Sequence, residues 1–293
     1  DSIGADGDFQ FELKEETPLN YEMETVKPKV ASASISARIQ SRDGLLLSTG
    51  RGTFTHANLQ SLATSSEQID LQWHDFDILS RNGHFTAQTE GFTSSIDDEI
   101  WENLDFDVSC DLVNGEKVKG AGNVIVHNGP ILPVIFNGNT SEEKWNVSLP
   151  PYTIEFSELG SLLSVAHLDL PPAVTFSDGS LTLQAQVEIG NDTVVTIASQ
   201  AHELDASLRE TNADDIGFSF EYRLDSALSG GGPISIESVA LAGGLELHHL
   251  KASLQAINSK TFDIQDLYAE LLGGQLSLSS LRFNDKRIEN TQL

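Results

Sequence analysis

The strongest constraint on the fold of this 293-residue chain is a regular alternation of apolar and polar residues. In residues 216–224 every second residue is large and apolar, and the residues between them are small or polar. Residues 181–189 alternate in the same way and follow a turn-prone segment, 177–180. Because successive side chains of a β-strand point to opposite faces, both segments predict strands with one apolar and one polar face.

Weaker alternation extends this prediction over most of the chain, whereas helical periodicity is scarce. Two short segments, 59–63 and 157–163, have the spacing of a helix, and the second has Ser157 as a candidate N-cap and Glu158 in its first turn. We therefore predict an all-β, mainly antiparallel fold with one or two short helices. The weaker strand segments are residues 9–13, 31–39, 145–149, 152–156 and 194–197.

A near-repeat close to the C-terminus predicts bent strands. In residues 245–252 the alternation slips by one residue after Leu247 and then resumes. A slip of one residue would turn every later side chain to the opposite face unless a bulge absorbs it, so a recurring slip predicts an elongated sheet that bends at a fixed point. The same slip occurs in residues 69–78, 234–241, 262–269 and 276–283.

Two glycine pairs separate the repeated segments. Gly243 and Gly244 follow one segment, and Gly273 and Gly274 follow another. We predict tight turns at both pairs, because glycine adopts the positive φ angles that such turns require.

The alternation leaves open whether the sheet stands alone or faces a second sheet in an ordinary β-sandwich, where bulges and Gly-rich hairpins are also common. The recurring slip favours one continuous elongated β structure over residues 1–293. Soft internal breaks are expected where Pro, Gly or polar residues cluster, near residues 14–28, 149–151 and 229–233.

The charge of the chain excludes one class of partner. The formal net charge is −27 and the pI is about 4.4, with no cluster of Lys and Arg, so binding to nucleic acid or to an anionic bilayer surface is disfavoured. The longest strongly apolar stretch, 130–136, contains two prolines and is far shorter than the ~18 residues of a membrane span. Because the chain starts at Asp1, we expect it to be a portion of a longer protein.

The sequence lacks the usual signatures of catalysis and metal binding, so we predict a protein that is not an enzyme and has no cofactor and no metal site. His248 and His249 are adjacent, and adjacent side chains of a strand point to opposite faces, so they are interpreted as solvated side chains at a bend. Cys110 is interpreted as a buried small residue or an inert surface thiol, because no neighbouring cation would lower its pKa.

The C-terminal segment resembles a known family. Residues 266–278, with Gly273 and Gly274 at their centre, are followed by Leu281, Arg282 and Phe283. This strand–Gly-Gly–strand pattern is similar to that of AsmA-like bacterial envelope proteins, and more narrowly to the YdbH family, which is related to TamB. The resemblance is strongest over residues 216–293.

The resemblance implies a large protein that is anchored in the inner membrane by a helix outside this chain. Its periplasmic part would be a β-taco, a long bent sheet whose concave face is a hydrophobic groove that conducts phospholipids between the inner and outer membranes. A small outer-membrane lipoprotein is the implied protein partner.

In such a groove the apolar face of the alternating strands would contact acyl chains. The alternative is a β-sandwich binding module or adhesin that recognises sugar or protein through its loops and buries the same residues in a closed core. A hydrolase has only the many carboxylates in its favour. The predicted groove-lining residues are Leu181, Leu183, Val187, Ile189, Ile216, Phe218, Phe220, Leu224, Ile234, Ile236, Leu245, Leu247, Leu276 and Leu278.

Overall fold

The computed structural model describes residues 7–13, 17–18, 28–42, 44–59, 64–96, 99–165, 174–190, 192–225, 227–258, 261–284 and 287–292. The chain divides into two compact units. Unit 1 comprises Asp1–Val147 with Ser161–Leu168, and unit 2 comprises Ser148–Gly160 with Asp169–Leu293.

Unit 1 is an antiparallel meander. Most of its strands pair with the next strand along the chain, because short turns connect them. The strands are β1 (Gly7–Leu13), β2 (Thr17–Pro18), β3 (Pro28–Val30), β4 (Ser32–Arg42), β5 (Leu45–Leu59), β6 (Thr64–Asp77), β7 (Asn82–Glu90), β8 (Phe92–Ile96), β9 (Glu99–Val113), β10 (Lys117–Val126) and β11 (Ile131–Asn139); β12 (Lys144–Ile154) continues into unit 2.

Unit 2 is a second antiparallel meander, in which each strand from β13 to β20 pairs with the next. The all-β, mainly antiparallel fold is therefore confirmed. Its strands are β13 (Val174–Ile189), β14 (Val194–Leu208), β15 (Thr211–Leu224), β16 (Leu228–Leu241), β17 (Leu245–Ala256), β18 (Thr261–Leu271), β19 (Gly274–Asn284) and β20 (Arg287–Gln292). The helix α1 (Phe156–Val165) begins in unit 2, and its residues from Ser161 onward belong to unit 1.

The predicted N-cap of the short helix is wrong. Helix α1 begins at Phe156, and the backbone N–H of Glu155 donates to Glu158 Oε2 at 3.1 Å. Glu155 therefore occupies the N-cap position, and Glu158 reaches back to it as the third residue of a capping box. The other helix was predicted over residues 59–63. Its first residue, Leu59, is the last residue of β5, and residues 60–63 lie outside the described residues.

Bulges occur where the alternation slips in β6, β17 and β18. Asp75, His249 and Asp266 have φ angles of 49°, 51° and 53°, and the strand register shifts beside each of them. Glu203 in β14 and Asp215 in β15 have φ angles of 52° and 53° and flank similar shifts. A residue in the left-handed region inserts one extra position into its strand, which is the bulge that the slip predicts.

The slips in β16 and β19 have a different origin. No residue at these slips adopts positive φ in the described chain. Here β16 pairs one-to-one with β15, and β19 with β18, throughout the slip. The bulges at Asp215 in β15 and at Asp266 in β18 shift the register only toward the strand on the other side, β14 and β17 respectively. Ile236 lies opposite Ile216 and Val239 opposite Ala213, so β16 follows the bend of β15.

Two of the expected soft breaks lie inside strands. Residues 149–151 belong to β12 and residues 229–233 to β16. The glycines in β16 do not form a linker. They allow the neighbouring strands to approach closely, because a Cβ on Gly231 or Gly232 would collide with the backbone of a neighbouring strand. In the third expected break, residues 14–16 and 19–27 lie outside the described residues.

The fully buried apolar side chains are mostly small. Among the residues whose burial the structure describes, no Phe, Trp or Tyr is buried. A face-to-face sandwich would enclose large side chains between two sheets, whereas here each unit is a single meander with small buried residues. The buried apolar residues are Val30, Ala33, Ala57, Val126, Leu149, Ile154, Ala201, Leu204, Ala252, Ala256 and Ala269.

Candidate functional site

A continuous apolar strip crosses unit 2. Leu181 lies opposite Ala201, Ala201 opposite Phe218, Phe218 opposite Ile234, and Ile234 opposite Ala252. Residues that are directly opposite in an antiparallel pair project from the same face of the sheet. These five residues therefore form one apolar row over five strands.

The other face of unit 2 is polar. Gly217 lies opposite Ser235, and Ser235 opposite Lys251, one position away from the apolar row in each strand. Farther along this face, Arg282 donates two hydrogen bonds of 2.7 Å to the carboxylate of Asp263. The alternation thus separates an apolar face from a solvated face, which we call the outer face.

The bulges keep the apolar face continuous across the bend. In β17 the burial of side chains alternates up to Leu247, is interrupted by two exposed histidines, and resumes at Leu250. Without the left-handed residue, the apolar side chains of β17 beyond the slip would point to the outer face. The half-buried or buried residues are Leu245, Leu247, Leu250 and Ala252, and the exposed residues are Glu246, His248, His249 and Lys251.

None of the predicted groove-lining residues is buried. Ile189, Leu224 and Leu276 are 42%, 47% and 41% exposed. The others are half-buried: Leu181, Leu183, Val187, Ile216, Phe218, Phe220, Ile234, Ile236, Leu245, Leu247 and Leu278. Their contact with lipid stays a prediction.

Aromatic side chains form a ladder along β15 on the apolar face. The rings of Phe218 and Phe220 stack with their centroids 4.6 Å apart and an interplanar angle of 11°, and Tyr222 lies 6.0 Å from Phe220. Burial raises the pKa of the Tyr222 phenol, so this side chain adds no charge at neutral pH.

Unit 1 also has an apolar face, and none of the groove-lining residues predicted from the sequence lies on it. A row of directly opposed residues crosses seven of its strands, and every member is apolar or glycine. The signal was present in residues 104–112, where apolar side chains alternate with acidic or small polar ones. The row consists of Ile35, Gly52, Leu71, Ala87, Val108, Gly122 and Val134.

The glycine pairs of the repeat lie at hairpin turns. Gly243 and Gly244 have φ angles of 93° and 81° between β16 and β17. Gly273, with a φ angle of 77°, follows Leu272 in the turn between β18 and β19, and Gly274 is the first residue of β19.

The histidines at the bend pair with carboxylates. His249 Nε2 lies 3.0 Å from Glu237 Oε1, and its Nδ1 lies 3.4 Å from Glu270 Oε2. His248 Nε2 lies 3.4 Å from Glu246 Oε2. In the described ranges, no group of three or more His, Cys, Asp or Glu side chains is arranged to hold a metal ion.

Cys110 lies on the apolar face of unit 1, opposite Gly120. Burial, and after it the charge of Asp111, raises the pKa of the Cys110 thiol. A thiol with a raised pKa is a poor nucleophile at neutral pH, which agrees with its interpretation as inert.

The two meanders define a class of protein in which antiparallel sheets have one apolar and one polar face. A model of the YdbH-like family, described as intermembrane phospholipid transport protein YdbH, matches residues 45–289, and the chain therefore belongs to this family. This confirms the resemblance and extends it upstream. The family is one of lipid transport proteins rather than enzymes, and transport between membranes indicates a location in the cell envelope.

No curated protein and no solved structure matches the chain. Within the part of the chain that the structure describes, helices with the length and apolar character of a membrane span are absent.

Proposed function

We propose that the apolar face of each unit is an open groove wall on which phospholipid acyl chains lie during transport between the inner and outer membranes. One observation carries the proposal: the large side chains of this face remain half-buried or exposed although their alternation is typical of a core-facing strand. Membership in a phospholipid transport family supplies the class of ligand.

An apolar wall lowers the main energetic barrier to lipid movement. Exposing an acyl chain to water costs about 0.8 kcal/mol for each CH₂ group, so a chain of about sixteen carbons carries on the order of 13 kcal/mol. Contact with Ile, Leu, Val and Phe side chains removes much of this cost without a covalent step. The head group stays in water, and the net charge of −27 disfavours binding of anionic lipids to the outer face.

The cellular setting follows from the same proposal. We place this chain in the periplasm, as part of a longer protein that is anchored in the inner membrane by a segment outside this chain. A small outer-membrane lipoprotein is the proposed protein partner. The function requires no cofactor, because hydrophobic contact alone favours the bound lipid.

Photocrosslinking tests the proposal. Replacing Phe218 and Phe220 by Asp places two carboxylates on the apolar face, where acyl chains would otherwise make contact. We expect these changes to abolish crosslinking to a phospholipid that carries a photoactivatable group in its acyl chain. The circular dichroism of the sheet should be unchanged.

The matched control adds the same charge to the outer face. Ser219 and Ser235 are exposed there, and Asp at both positions should leave crosslinking at the level of the unmodified protein. Undiminished crosslinking in the Phe218→Asp/Phe220→Asp variant would remove these residues from the groove.

A further inference from the structure

In unit 1 the rings of Trp73, Phe136 and Trp145 each lie directly over a glycine of the neighbouring strand. A Cβ on Gly50 would lie within 3.0 Å of the Trp73 indole, and a Cβ on Gly120 within 3.0 Å of the Phe136 ring. A Cβ on Gly138 would approach the indole of Trp145 as closely. Each ring therefore occupies the space where another residue would have its side chain, and it lies along the sheet rather than standing away from it.

All three glycines face the apolar side. Gly50 lies opposite Trp73, and Gly120 lies opposite Phe136 and Cys110. Gly138 lies opposite Val118, which in turn lies opposite Leu112. The rings that cover these glycines consequently belong to the apolar face of unit 1.

The polar edge of one indole is already satisfied within this face. Trp73 Nε1 donates a hydrogen bond of 3.0 Å to Ser48 Oγ, and Ser48 is buried. Trp73 is itself only half-buried. Because its N–H is occupied, the part of the indole that remains accessible consists of carbon, which favours contact with hydrocarbon over contact with a polar ligand.

We infer that Trp73, Phe136 and Trp145 form a flat aromatic floor on which phospholipid acyl chains lie, and that Gly50, Gly120 and Gly138 set the height of this floor. This inference rests on the proposed function, since it names the positions in unit 1 that determine the depth of the groove. A Cβ on Gly138 would lift the Trp145 ring into the space of the acyl chain, whereas a Cβ on Gly50 or Gly120 would also collide with the backbone of the strand on the other side.

Tryptophan fluorescence tests the contact. The chain has three tryptophans, and two variants each keep one of the floor indoles: Trp101→Phe/Trp145→Phe keeps Trp73, and Trp73→Phe/Trp101→Phe keeps Trp145. Each protein is incubated with phosphatidylcholine vesicles whose acyl chains are brominated, or with the same vesicles without bromine, and is then re-isolated and its bound lipid counted by mass spectrometry. We expect bromine to lower the emission at least about twofold, because it would be in van der Waals contact with the indole.

The glycine variant tests the height of the floor. The three atoms nearest to a Cβ on Gly138 all belong to the ring of Trp145, so Gly138→Ala lifts this ring and should lower the amount of bound lipid at least about twofold. The control is Gly217→Ala on the outer face of unit 2, where the nearest atom, Ser235 Oγ, is 3.1 Å from the added Cβ. This variant should bind as much lipid as the unmodified protein.

The outcomes separate the two claims. If lipid is bound and crosslinks to the apolar face of unit 2, but bromine quenches the fluorescence of neither Trp73 nor Trp145, the aromatic floor is refuted and the proposed function stands. If the unmodified protein retains no lipid at all, both are refuted. Quenching is measured with glycines unchanged, so it decides the inference even if Gly138→Ala fails to fold.

Discussion

At the scale of single residues, the bends depend on side chains that tolerate a left-handed backbone. The bulges in unit 2 place Glu203, Asp215, His249 and Asp266 in this region. For a residue other than glycine this conformation costs roughly 1–2 kcal/mol, and Asp and His are enriched there because they form local hydrogen bonds. At Asp215 the neighbouring strand adds support, since the backbone N–H of Asp215 donates to Asp205 Oδ1 of β14 at 2.9 Å.

The turn between β18 and β19 contains an unfavourable residue that can be improved. Leu272 and Gly273 both have positive φ between the paired residues Leu271 and Gly274, which is the geometry of a type I′ turn. Leu272 is 86% exposed, so it contributes little to packing. We expect Leu272→Asn to stabilise the protein by about 1 kcal/mol in urea unfolding, because Asn tolerates this backbone better.

A β-branched residue at the same position provides the opposite control. Leu272→Val should destabilise the protein relative to Leu, because branching at Cβ increases the clash with the left-handed backbone. Equal stability of the Asn and Val variants would mean that the backbone of this turn is not strained.

The ion pair on the outer face of unit 2 predicts a dependence on pH. Hydrogen bonds from Arg282 hold the pKa of the Asp263 carboxyl below its usual value, against the opposing effect of burial. A lowered pKa stabilises the fold above the ordinary pKa of about 3.9, and this contribution is lost as the pH falls through the folded-state value.

Arg282→Met should therefore destabilise the protein by about 1–2 kcal/mol at pH 7, because it leaves a carboxylate of low exposure without its donors. The difference from the unmodified protein should shrink as the pH falls below about 4. Urea unfolding at a series of pH values measures this difference in the free energy of unfolding. A difference that does not vary with pH would contradict the assigned role of the ion pair.

At the scale of elements, the bends were predictable but their mechanism was not. The slip after Leu247 predicts a bulge, and His249 provides it. The slip in β16 looks identical in sequence, yet β16 pairs one-to-one with both β15 and β17 and contains no left-handed residue at the slip. Since a bulge belongs to a pair of strands, the pattern of one strand does not reveal whether that strand inserts an extra residue.

Helix α1 is a short element whose stability depends on few interactions. The ring of Phe156 stacks on Phe176 of β13 with centroids 5.8 Å apart, and Glu158 caps the first turn. Gly160 lies in the middle of the helix and is exposed, and a Cβ added to it would meet no atom within 4 Å. Glycine in a helix interior is less favourable than alanine by roughly 0.5–1 kcal/mol.

Gly160→Ala should therefore stabilise the helix by about this amount and raise the thermal midpoint of unfolding. Glu158→Ala, which removes the capping carboxylate, should lower the midpoint. If both changes left it unaltered, the helix would not be part of the cooperative unit that the melting curve reports.

At the scale of the whole molecule, the sequence predicts the fold class and the polarity of the faces. Alternation in residues 181–189 and 216–224 predicts the apolar strip of unit 2, and the same pattern in residues 104–112 would have predicted that of unit 1. The sequence does not predict whether the face is covered, because alternation reports which side is apolar and not what lies against it. The flat rings over Gly50 and Gly138 were likewise not predictable, since they depend on which strands become neighbours.

The most direct test of the open apolar face is a photocrosslinking scan of β17. A photoreactive amino acid is placed at each position from 245 to 252 in turn, and adducts with phospholipid are detected by mass spectrometry. An open apolar face predicts adducts at 245, 247, 250 and 252 and none at 246, 248, 249 and 251, so that the period of two shifts by one residue at His249. Adducts at equal levels from both sets of positions, or from neither, would contradict it.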